Sequence, residues 1–302
     1  MRDLLNEKWN TDMLIFGLDT GKIDKQFSIG DLTIIPKFDL ERYLKGYQED
    51  TVGFITDYAK YGQFRPQPQS PSLFFSPMVE DVCLLPFRLL KSGWISAMPI
   101  APITRTNGLE TRCELDITRH LFGQIWADGH YELAESEISL IQGAYKKSSA
   151  VPKGYLEMAM RRFSRSYKYI QHNEYAGTSE LDDYWVDLVI SLESMTSKDE
   201  RSLTENMARR AAILLANGRD ERQEIKAKVR DIYRQRCSIV HGNEKDMITD
   251  ATHEKRFLDA EALRTLIRDM INSSIDLLIK HSASLVDSSG HRRILPDIIE
   301  GK

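Results

Sequence analysis

The sequence predicts an α+β protein. A β-containing N-terminal module is expected over residues 1–130, an antiparallel all-α bundle over 131–287, and a tail over 288–302. Three observations carry this. Short β-branched or alternating runs lie in the first third. Prolines recur there at Pro66, Pro68, Pro71, Pro77, Pro86, Pro99 and Pro102, a spacing hostile to helix. From about Leu133 apolar residues recur at helical spacing, and short connections favour antiparallel neighbours.

In the first module, Phe27–Pro36 is β-branched and bounded by turns, and Arg112–Arg119 alternates polar with apolar residues as a half-buried strand does. Gly17-Leu-Asp-Thr-Gly21-Lys22 is one residue short of a phosphate-binding loop, and Ile23 stands where a hydroxyl is needed, so it reads as a turn.

The helices follow in order. Ile138, Ile141, Ala144 and Tyr145 mark the first, before a loop at Ser148–Pro152. Tyr155, Ala159, Phe163, Ser166/Tyr167 and Ile170 mark the second. Its Arg161, Arg162, Arg165 and Lys168 alternate with aromatics as in a single-strand-binding face, but a solvated helix face is the favoured reading. The third runs Leu181–Met195, with Trp185, Leu188, Val189, Leu192 and Met195 inward. The fourth runs Leu203–Ala216, with Thr204 as N-cap, Met207, Ala211, Leu214 and Leu215 buried, and Asn217-Gly218 as the stop. The fifth runs from Asp220 to His241-Gly242. The sixth runs from about Thr252 to Leu285, and Phe257, Ala260/Glu261, Leu263/Arg264, Ile267, Met270/Ile271, Ile275 and Leu278 suit an amphipathic helix. The tail shows no pattern.

A chain of 302 residues, 41% hydrophobic and 28% charged, can bury a core without staples. Its net charge of −4 excludes a generic nucleic-acid coat or a polybasic membrane binder. The charge is uneven. Residues 201–236 hold ten basic and five acidic side chains, a local +5 that leaves −9 for the rest. No apolar stretch is long enough to span a bilayer, no signal core opens the chain, and a cytoplasmic location is expected. Cys83, Cys113 and Cys237 form no C-x-x-C pair. Phe257 breaks the H-E-x-x-H begun at His253-Glu254, and the spacing of Cys113, His120 and His130 is not diagnostic of a metal site. Neither metal nor cofactor is expected.

The informative segment is Ile225–Gly242. Ile225, Val229 and Ile232 form an apolar stripe whose next member is Arg236, with Ile239 and Val240 beyond it. A charge on a buried stripe needs a partner. Either Glu193 supplies a structural salt bridge, or the guanidinium faces another subunit and a phosphate. At about 100° per residue, His241 points about 140° from Arg236. Arg234 shares the face of His241, so spacing alone leaves both arginines open. Cys237, one turn before His241, reads as a small helix residue because no third group orients a thiol–imidazole pair. Glu193 and Arg210, both inside apolar helix faces, read as an ion pair that buttresses this helix.

Arg236-Cys-Ser-Ile-Val-His241-Gly resembles the R-x4-6-H motif of HEPN domains, in the form carried by Apea-like HEPN proteins. Asp187–Glu193, Leu203–Leu215, Val229–Arg236 and Ala159–Phe163 resemble helix signatures of that family, in the right order, so the resemblance spans about Leu133 to Leu285. It implies a HEPN-like helical bundle and a homodimer through the motif helices. It also implies metal-independent RNA cleavage by Arg236 and His241, in antiviral defence or as a toxin. Arg234, Arg230, Ser238, Asn243, Arg210 and Glu193 would bind RNA or support the site. Many catalytic members carry Asn, Asp or His after the arginine, where this chain has Cys237. The alternative expectation is a catalytically silent dimerisation or RNA-binding module. Under either reading a trigger or neutralising partner would act through the rest of the chain.

Overall fold

A computed structural model describes residues 9–10, 13–16, 18–21, 23–30, 32–35, 63–66, 79–93, 95–99, 103–105, 110–111, 131–152, 154–169, 178–198, 201–241, 250–282, 285 and 293–301. The protein is mostly helical. It divides into two compact units, 1–146 and 147–302, rather than at 130/131.

The first unit holds the strands. These are β1 (Trp9–Asn10), β2 (Met13–Phe16), β3 (Leu18–Asp19), β4 (Phe27–Ile29), β5 (Leu32–Ile35) and β6 (Gln63–Pro66). After helix α1 (Val79–Leu90) come β7 (Ser96–Pro99), β8 (Ile103–Arg105), β9 (Glu110–Thr111) and β10 (Tyr131–Glu132). The largest sheet has the order β4-β5-β6-β2-β7, and its pairs are antiparallel. Within the β-branched run, β4 and β5 pair as a hairpin, with Gly30 at φ +57. A Cβ at Gly30 would overlap the Tyr145 ring. The turn read at Gly21 is present, with φ +51. The run 112–119, with Cys113, His120 and His130, lies outside the described residues.

Helix α1 corrects the proline argument. It contains Pro86, yet Leu84, Leu85, Phe87 and Leu89 are all buried. Tertiary burial of an apolar turn outweighs the loss of one backbone donor. The core also takes in Leu18, Ile29, Ile34, Tyr131 and Ile141. Ile141 belongs to α2 (Ile138–Ala150), which closes this unit.

The second unit is a helical bundle of α3 (Glu157–Tyr169), α4 (Thr178–Thr196), α5 (Leu203–Leu215), α6 (Arg219–His241), α7 (Asp250–Lys280) and the short α8 (Leu295–Ile299). Ala159, Phe163 and Tyr167 of α3 meet the buried stripe of α4, and Ser191 Oγ donates to the Ala159 carbonyl at 2.9 Å. Two bases of α3 are paired. Arg162 and Arg165 both reach Asp187 of α4, at 2.5 and 3.2 Å. Helix α5 starts after Ser202, whose φ of 61 is left-handed, so Thr204 is not its N-cap but lies inside the first turn. Met207 and Ala211 are buried, whereas Leu214 and Leu215 are only half-buried. Residues 216–218 reverse the chain into α6, as Asn217-Gly218 predicts. Helix α7 buries Ala260, Leu263, Ile267, Met270, Ile271, Ile275 and Leu278, and ends at Lys280. The side chain of Phe257 lies outside the described residues.

The tail is not patternless. Leu295, Pro296, Ile298 and Ile299 of α8 are buried. Pro296 sits in the first turn, where its missing N–H costs nothing. Glu300 follows and reaches α5.

Candidate functional site

Helix α6 sets the site. Its stripe leaves the core as the helix proceeds. Val229 and Ile232 are fully buried, Arg236 and Ile239 are half-buried, and Val240 is 49% exposed. The last two turns therefore carry their apolar face into a more open setting.

Arg236 has no carboxylate or carbonyl partner among the described residues. Its guanidinium lies over the Tyr233 ring, 5.8 Å from Cζ to the centroid. Its Nε is buried without a hydrogen-bond partner. Glu193 of α4 faces it electrostatically, but no ion pair joins the two among the described residues. Burial pushes the Glu193 carboxyl above its ordinary value, and the attraction of Arg236 offsets this only in part. The Tyr233 phenol is also pushed up, first by burial and then by the Glu193 charge, with Arg236 opposing. Glu193, Tyr233, Arg236 and Cys237 thus form one electrostatic cluster. Sequence reading missed Tyr233, although its position one turn before Arg236 carries the signal.

His241 is the exposed last residue of α6. The helix stays regular to that residue, so within one chain His241 and Arg236 point about 140° apart. Arg234 shares the His241 face, but it is 75% exposed and paired with Asp231 at 2.9 Å. Arg230 is taken up by both oxygens of Glu205, at 2.8 and 2.9 Å. Ser238 is half-buried, and Asn243 lies outside the described residues.

The expected pairing of Glu193 with Arg210 does not form. Arg210 is fully buried. Its Nε donates to Glu300 at 2.7 Å and its Nη1 to the Thr196 carbonyl at 2.7 Å. Arg209 reaches the same Glu300 oxygen at 2.6 Å. The reason is facing: Glu193 is turned towards α6, while the end of α4 and the tail enclose Arg210. The basic strip over 201–236 is likewise committed in part, since Arg209, Arg210, Arg230 and Arg234 all meet carboxylates.

Among the described residues there is no cluster of three metal-binding side chains, and no helix is long and apolar enough to cross a membrane. What the fold and the cluster define is a helical bundle with a half-buried, unpaired arginine and a terminal histidine on one helix. Compared with models of protein families, with curated proteins and with solved structures, the chain matches none.

Proposed function

We propose that the helical unit is a HEPN-type, metal-independent endoribonuclease that acts as a homodimer through α6. One observation carries this reading: Arg236 sits on the core stripe of α6, yet no carboxylate or carbonyl of the described residues engages its guanidinium. A guanidinium in that state has its planar fork available for a phosphate. The emergence of Ile239 and Val240 beside it supports a partner surface.

In this reading RNA supplies its own nucleophile, the 2′-hydroxyl. His241 takes the 2′ proton or protonates the 5′ leaving oxygen. Arg236 stabilises the charge that builds on the phosphorane oxygens. Two subunits bring paired Arg236 and His241 residues to one cleft, which accommodates their divergence within a single helix. The N-terminal unit then senses a trigger or selects the RNA, in antiviral defence or as a toxin.

A second reading is a silent RNA-binding or dimerisation module. Cys237, directly after the arginine, favours it. Incubating the full chain with single-stranded RNA in EDTA separates the two. The nuclease reading expects 2′,3′-cyclic phosphate ends, with cutting lost in Arg236→Ala and His241→Ala while the dimer persists. Binding without cutting supports the silent module, and cutting that stops with chelator and leaves 3′-hydroxyls contradicts the nuclease proposed.

A further inference from the structure

The arginines near the site differ in what holds them. Both oxygens of Glu205 occupy the donors of Arg230, Asp231 engages Arg234, and Glu300 with the Thr196 carbonyl takes two donors of Arg210. A carboxylate that fixes a guanidinium also consumes the donors a phosphate would need. Arg236 is oriented differently. Tyr233 lies one helical turn before it on the same side, and its ring face contacts the cation without using an N–H. Glu193 adds attraction from α4 without an ion pair.

We propose that Tyr233 is the positioning residue for Arg236, its ring face holding the guanidinium in place while leaving the fork free for an RNA phosphate. This rests on the nuclease reading above, but it concerns how Arg236 meets phosphate, and it is testable by binding as well as by turnover. Tyr233 itself does not touch the reacting atoms. The ring matters, and the hydroxyl does not.

The test is a double-mutant cycle in the full chain, read on RNA cleavage and on affinity for a non-cleavable 2′-O-methyl RNA. Tyr233→Leu is expected to lower kcat/KM about tenfold and to weaken affinity for the 2′-O-methyl RNA, whereas Tyr233→Phe stays within about twofold of wild type in both. On the Arg236→Ala background Tyr233→Leu is expected to cost no further affinity for the 2′-O-methyl RNA. If wild type does not cut, the nuclease reading falls and the binding cycle decides the Tyr233 proposal alone. It then expects Tyr233→Leu and Arg236→Ala to weaken affinity without adding. Tyr233→Met replaces the leucine variant if that one melts early. The proposal is overturned if Tyr233→Phe is as damaged as Tyr233→Leu, or if the losses add on the Arg236→Ala background. It is also overturned if wild type binds no RNA.

Discussion

Two arginines of the same bundle have opposite surroundings. Arg210, on α5, is fully buried and anchored at Nε by Glu300 and at Nη1 by the Thr196 carbonyl, and Glu300 is itself only 3% exposed. Arg236, on α6, is half-buried, faces Glu193 without pairing and rests on a tyrosine ring. A buried ion pair fixes helices in place, because removing either partner strands a charge. A half-buried, unsaturated cation costs stability where it sits and is available to a ligand. The contrast sets Arg210 in the fold and leaves Arg236 for the proposed site.

Breaking the buried Arg210–Glu300 pair is expected to have the largest effect on stability. Glu300→Gln leaves the Arg210 cation buried without its anion, for a loss of about 3–5 kcal/mol in urea unfolding. Replacing both partners by apolar residues of similar volume should recover most of that loss. An unchanged unfolding midpoint in Glu300→Gln would show that the tail does not hold α5.

Breaking the unsaturated site should do the reverse. Arg236→Ala is expected to reduce RNA cleavage by about a hundredfold or more while shifting stability by less than about 1 kcal/mol. His241→Ala should leave the melting temperature alone, because the side chain is exposed at the helix end, and should also remove cleavage.

Glu193 sharpens the comparison through pH. Its carboxyl is raised by burial, so the folded state holds its proton more tightly than the unfolded state does. The stability it contributes is fully present below the ordinary value of 4.5 and is lost as pH rises through the raised folded value. Glu193→Gln should therefore flatten the decline of melting temperature from about pH 4.5 towards neutrality. A wild-type curve that rises over that window relative to Glu193→Gln would mean that Arg236 holds the carboxylate as a true pair. The smallest effect belongs to Arg234→Ala. Its pair with Asp231 is exposed, and a change below about 0.5 kcal/mol is expected in the same unfolding experiment.

The helices of the bundle were legible because their apolar residues repeat at 3.6 spacing, as Ala159, Phe163 and Tyr167 or Leu188, Leu192 and Met195 do. The motif helix was legible for the same reason, and Arg236 stood out as the charge that interrupts its stripe. What stayed hidden depends on partners distant in sequence. Glu300 meets Arg210 across 90 positions, and no local pattern marks that pairing. Helix α8 is too short for periodicity, although Pro296 near its start was a usable sign. Helix α1 was concealed by Pro86, whose local preference lost to burial of the leucines and phenylalanine around it. Tyr233 lies one turn before Arg236 on the flank of the stripe, so the apolar periodicity does not mark it.

The central claim is that Arg236 is held ready for an RNA phosphate rather than built into the fold. The most direct measurement is cleavage of single-stranded RNA in EDTA by wild type and Arg236→Ala, with unfolding curves of both proteins taken in parallel. The account predicts cyclic-phosphate products from wild type, none above background from Arg236→Ala, and matching unfolding midpoints. Equal cleavage by the two proteins, or an Arg236→Ala chain that unfolds as readily as Glu300→Gln, would contradict it.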